Sequence, residues 1–178
     1  MLFSKQSALY ISCCMLSAVG LVLIIAGTAT PKWTYSNITT AHETTWYSMG
    51  LWHNCIDGQC NVTKGAGPGE KISCQVLTIT SAVSAFLCSI LLFQHLVRQI
   101  CSIPSPTCYL ALAMVTGGSS TVLIIISASI WRAKYFDDVH NTFVGYSLIL
   151  PVVGGVLAGL SGTLGAISSQ NHADFHTI

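Results

Sequence analysis

The stretch GLWHNCIDGQC, residues 50–60, is polar at its centre and stands in a chain that is otherwise largely apolar. Asp57-Gly58 is a two-residue turn signal, because a type I′ turn needs positive φ at both central positions. With the turn there, Ile56 faces Gln59 and Cys55 faces Cys60 at the next rung. A non-hydrogen-bonded antiparallel pair brings its Cα atoms to about 4.5 Å, near the lower end of the disulfide range. The stretch therefore reads as a hairpin stapled by Cys55 and Cys60, a closure that stabilises by about 2 kcal/mol in the chain-entropy model. Two free thiols, or half of a metal site, are the alternatives. A metal needs more ligands, and His42 and His53 stand at no recognised ligand spacing.

Working outward, KWTYSNITT and TTWYSMGLW are rich in aromatic and β-branched residues, as strands are. KGAGPGEK, from Lys64 to Lys71, is a turn-rich return. Residues 31–71 are thus expected to form a small antiparallel sheet. Trp33 and Trp52 are either anchors at a bilayer interface or a mini-core beneath that sheet. Cys74 reads as a buried free thiol.

Beyond the sheet the chain has almost no charge. Charged residues make up 7% of the 178 positions, against about 25% in a soluble domain. Residues 6–31, 72–97, 99–131 and 139–173 contain no Asp, Glu, Lys or Arg. A bilayer-crossing helix needs roughly 20 apolar residues, and open backbone in lipid has no water to bond. Helices are expected at 8–30, 72–97, 108–131 and 143–168. The fold class is an all-α membrane protein, a left-handed bundle of four transmembrane helices with the sheet in its first loop, as one domain over 1–178. A cleaved signal peptide is the rival reading of the first helix.

Four helices place both termini on one side, opposite loops 31–71 and 132–142. Lys32, Lys64, Lys71, Arg132 and Lys134 lie on the loop side, and only Lys5 and Arg98 on the other. The positive-inside tendency alone would put the loops in the cytosol. Against it stand the sequons at Asn37 and Asn61 and the cysteine pair, since disulfides persist in oxidising compartments. The expected topology is loops outside and termini cytoplasmic, at the plasma membrane. Asn61 is the less favoured glycan site, because it faces Asn54 on the sheet face that holds Trp52.

With Trp33, Gly50-Leu51-Trp52, Cys55 and Cys60 in the first loop of a four-helix chain, the sequence resembles the claudin superfamily. That group covers claudins, peripheral myelin and epithelial membrane proteins, lens fibre membrane protein and channel gamma subunits. Four residues separate the two cysteines, fewer than the eight to ten of most claudins, which is closer to the short-loop branch. The tail ends ADFHTI, and His176 replaces the Ser or Thr of common PDZ ligands. The resemblance implies a junctional, adhesive or membrane-organising protein. A paracellular channel or barrier, or an auxiliary channel subunit, is the alternative.

Catalysis has little support. The expected helices contain no Asp, Glu, Lys or Arg for a relay, His95 near the end of the second needs no special role, and no phosphate loop, zinc-protease motif or nucleophile elbow occurs. No cofactor and no metal are expected, and the near-zero net charge disfavours nucleic acid. Expected partners are membrane lipid, copies of itself or related tetraspan proteins in cis or trans, and a channel or junction complex. Cys101 and Cys108 flank a short loop at the terminal side, where palmitoylation is possible chemistry. In PVVGGVLAGLSGTLGAI, small residues recur four apart, serving either packing within the bundle or self-association. Ile56 at the hairpin tip, and Tyr135 and Phe136 in the second loop, are the expected partner contacts.

Overall fold

The computed structural model describes residues 5–39, 44–62, 69–101, 103, 108–136 and 142–175. Four long helices are present: α1 (Lys5–Ala29), α2 (Gly69–Ile100), α3 (Cys108–Tyr135) and α4 (Tyr146–Phe175). Each contains a segment long and apolar enough to cross a membrane. The protein is a four-span membrane protein.

Between α1 and α2 lie β1 (Thr34–Thr39), β2 (Thr44–Met49), β3 (His53–Ile56) and β4 (Gln59–Val62). A fifth strand, β5 (Thr142–Val144), comes from the second loop. The antiparallel sheet runs β4-β3-β2-β1-β5. The expected sheet is therefore present but not confined to the first loop, and α4 begins at Tyr146 rather than 143 because the residues before it pair with β1. Other boundaries move outward, among them two at the sheet end of the bundle. α2 starts at Gly69, with Glu70 in its first turn, where a carboxylate suits the helix dipole. α3 continues to Tyr135, which stacks on Trp131 one turn back at 4.3 Å between ring centroids.

Around the bundle the order is α1, α4, α3, α2, with α4 lying along both α1 and α3. Small residues allow this. A Cβ at Gly20 would stand 2.6 Å from the Gly154 carbonyl oxygen, and one at Gly162 would stand 2.5 Å from that of Ala113. Gly155 and Gly159 likewise face Ile124 and Thr121 of α3. The small-residue stripe of α4 is thus used inside the bundle.

Hydroxyls join the helices where lipid offers no water. Ser17 and Ser89 are 2.7 Å apart, Thr78 and Ser127 3.0 Å, and Ser81 and Ser120 3.0 Å. Thr121 donates to the Gly155 carbonyl at 2.7 Å. Tyr10, Cys13, Cys88, Leu92 and Leu110 form the apolar core at the end nearer the termini. At the sheet end the core is Trp33, Leu51, Cys74, Trp131 and Leu148. Cys74 is buried there as a free thiol.

Candidate functional site

The hairpin comes first, because it fixes the tip of the sheet. Asp57 and Gly58 have φ of 47° and 83°, both in the left-handed region that the turn demands. Ile56 pairs with Gln59, Cys55 with Cys60 and Asn54 with Asn61, the register read from the sequence. Cys55 and Cys60 are disulfide-bonded with Cα atoms 4.0 Å apart. The turn is tied back to β2 as well. The Trp46 N–H donates to Asp57 Oδ1 at 2.7 Å, and the Asp57 N–H to the Trp46 carbonyl at 2.9 Å.

The residues before the hairpin dock the sheet on the bundle. Leu51 is fully buried, and its carbonyl accepts from Gln75 Nε2 at 2.7 Å. Trp52 packs half-buried on the same core. A Cβ at Gly50 would stand 2.5 Å from Pro31 Cα, so that position needs glycine to let the two backbones meet. Trp33 joins three elements. Its Nε1–H donates to the Gly27 carbonyl at the end of α1 at 2.8 Å. Its amide bonds to Met49, and its carbonyl accepts from Gly145 at 2.9 Å each. Of the two readings of Trp33, the mini-core beneath the sheet is the one present.

Strand alternation gives the sheet two unlike faces. Thr34, Met49 and Asn54 share one, which turns toward α2 and α3. Lys71 Nζ donates to Asn54 Oδ1 across that gap at 3.3 Å, from a largely buried side chain. Tyr135 closes a 150 Å³ hollow against Thr34 and Met49. The opposite face carries Tyr35, stacked on Phe143 at 5.4 Å, together with Trp46, Ser48 and the disulfide. With Lys32 and Tyr146 it walls an open groove of about 550 Å³.

The remaining expected residues fall as follows. Ile56 is 48% exposed at the tip. Tyr135 and Phe136 are half-buried and packed on the core of Trp33 and Trp131, and the Tyr135 hydroxyl is buried. Tyr135 is therefore a packing residue, because the added turn of α3 rotates it onto the face of Trp131. Asn37 is half-buried in β1, whereas Asn61 is exposed on the edge strand. Trp52 is half-buried against that core. Thr63 of that sequon, and residues 137–141 and 176–178, lie outside the described residues. Cys101 and Cys108 are exposed free thiols. Among the described residues no cluster of three or more potential metal ligands occurs.

Sequence reasoning missed several contacts. Gly145 touches the Lys32 carbonyl so closely that a Cβ would overlap it. Lys32 lies over the Tyr146 ring, 6.0 Å from its centroid. The signal for Gly145 was its place directly before the helix-forming run YSLIL. Lys134 of α3 also pairs with Glu70 of α2 at 3.5 Å, an exposed bridge that solvent screens.

Comparison with curated proteins gave no match. Residues 7–165 match the PMP-22/EMP/MP20/Claudin family, a stretch that includes three spans and most of the fourth, the Trp33 joint and the stapled hairpin. The chain belongs to the PMP-22/EMP/MP20/Claudin family.

Proposed function

We propose that the protein is a non-enzymatic tetraspan membrane protein of the junction type, acting in cell–cell contact or membrane organisation through its sheet. The sheet would face outward, with the termini in the cytosol and the protein at the plasma membrane. Its partners are copies of itself or related tetraspan proteins.

One observation carries this reading. β4 is an edge strand, and all four of its residues are exposed. Val62 is 63% exposed at the end of β4 opposite His53, and Ile56 is 48% exposed at the tip. An edge strand presents unpaired N–H and C=O groups, which a second chain can use by strand addition. The disulfide and the Asp57 bonds hold this edge rigid, so little ordering entropy is lost on contact.

The charges favour contact or sealing over a strongly ion-selective pore. Lys71 is turned into the protein and Glu70 is paired with Lys134, which supports no single-sign ring.

The test is partner recovery after cross-linking on intact cells. Ile56→Lys with Val62→Lys should lose the cross-linked species, with surface delivery and the disulfide intact. Deletion of residues 171–178 should retain it. The opposite pattern would place function at the terminal side.

A further inference from the structure

The groove on the disulfide face has a chemistry that strand addition does not use. Three exposed aromatic side chains border it: Tyr35, Trp46 and Tyr146. Among the described residues its one lining cation is Lys32, and no carboxylate lines it. Lys32 Nζ meets the Tyr146 ring, and among the described residues no carboxylate lies within 4 Å of it. At the other end Asp57 holds its carboxylate against the Trp46 N–H.

Position adds direction. The first span ends at Ala29 and the fourth begins at Tyr146. Lys32 and Tyr146 are therefore at the membrane border. Trp46 and Asp57 lie farther along the sheet, since Trp46 pairs with Asn37 while Tyr35 pairs with Ser48. The groove is cationic next to the bilayer, and aromatic with a carboxylate beside it farther out.

We propose that this groove binds the phosphocholine headgroup of a lipid in the leaflet beneath it. In such a lipid the phosphate lies at the bilayer side and the quaternary ammonium projects beyond it. The phosphate then meets Lys32, and the trimethylammonium lies among the faces of Tyr35 and Trp46. Aromatic faces attract quaternary ammonium through the ring quadrupole. Ammonium groups that carry N–H bonds keep more of their water, which gives the site a basis for discrimination. At about 550 Å³ the groove is within the usual range of small-ligand sites. The proposal rests on the sheet lying at the membrane surface. It does not need the contact residues Ile56 and Val62.

The experiment uses the full chain in liposomes containing a phosphatidylcholine with a photoreactive headgroup, and maps labelled residues by mass spectrometry. Labelling should fall on the segments around Tyr35, Trp46 and Tyr146. Lys32→Ala and Trp46→Ala should each reduce it about three- to tenfold, while Trp46→Phe keeps most of it. Unlabelled phosphatidylcholine should compete better than phosphatidylethanolamine, and phosphatidylglycerol least. Equal competition by all three would overturn the proposal, as would labelling unchanged by Lys32→Ala combined with Trp46→Ala. Full competition by soluble phosphocholine at the same concentration would overturn the assignment to a lipid. A cross-link from the groove to a second copy, in place of lipid, would also overturn it. Intact mass without reduction checks that each variant keeps its disulfide, so a misfolded variant is set aside and Trp46→Phe still decides. If the Ile56/Val62 variant loses partner contact but labels normally, the two readings stand separately.

Discussion

Trp33 and Trp131 meet edge to face, with ring centroids 5.1 Å apart and planes inclined at 65°, and neither has exposed surface. One belongs to the first residues after α1 and the other to the last turns of α3. Their contact is the place where the sheet is fixed to the bundle. Trp33→Ala removes this packing and is expected to destabilise by about 3–5 kcal/mol. Trp33→Phe keeps a ring but loses the bond from Nε1 to the Gly27 carbonyl, a loss of about 1 kcal/mol beyond the change in packing. Unfolding of the purified protein in detergent would rank them. Equal effects of Ala and Phe would mean that the hydrogen bond, and not the ring, holds the joint.

Gly145 is the second fixture. Its amide donates to the Trp33 carbonyl at 2.9 Å, and its α-carbon faces the Lys32 carbonyl with no room for a methyl group. Gly145→Ala should therefore separate β5 from β1, with amide exchange accelerating at Tyr35 and Phe143. Gly69→Ala is the control, since a Cβ there meets nothing within 4 Å. Unchanged exchange in Gly145→Ala would show that the approach at Lys32 is looser than it looks.

The spans and the hairpin were legible because both signals are local. A charge-free run of more than twenty residues has few folded alternatives in water, and Asp57-Gly58 sets a register by itself. β5 was hidden for the converse reason. Thr142, Phe143 and Val144 become a strand only by pairing with Ser36, Tyr35 and Thr34, more than a hundred positions away. The orientation of Tyr135 was hidden by one boundary. As a loop residue it would be a free aromatic. As the end of α3 it is one turn from Trp131 and shares its face. The groove needed Lys32, Trp46 and Tyr146 together, which no spacing along the chain reveals.

The disulfide closes a short loop, so its contribution is modest. Cys55→Ser with Cys60→Ser should cost about 2 kcal/mol and leave the four spans folded. The tip would still be held by the two bonds between Asp57 and Trp46. Alkylation of native protein without reduction should leave Cys55 and Cys60 unmodified while Cys101 and Cys108, which are exposed, react. Alkylation of all four would show an open hairpin.

The two sequons differ in exposure. Asn61 stands exposed on the free edge, and Asn37 lies half-buried in β1 opposite Trp46. If the sheet faces the secretory lumen, glycosidase should shift the mass of the wild type and of Asn37→Gln, and shift Asn61→Gln less or not at all. A shift confined to Asn37 would mean that β4 is covered during synthesis. A tag at residue 178 stained on intact cells would invert the topology altogether.

Gly117 and Gly118 are neighbours with opposite surroundings, and they test the bundle most directly. A Cβ at Gly117 would lie 2.5 Å from the Ala158 carbonyl oxygen and 3.2 Å from Cys88 Sγ, whereas one at Gly118 would meet nothing within 4 Å. The obstacle at Gly117 is backbone, which cannot rotate away as a side chain can. Gly117→Ala must push α3 from α4, at about 1–3 kcal/mol for overpacking. Gly118→Ala adds a methyl group to the outer surface and stiffens the helix, a gain of up to about 1 kcal/mol. The two alanines should thus shift the unfolding midpoint in detergent in opposite directions. A loss at Gly118 together with a change in oligomer size would put that face at a contact between copies, and would return the self-association once read in α4 to the neighbouring helix.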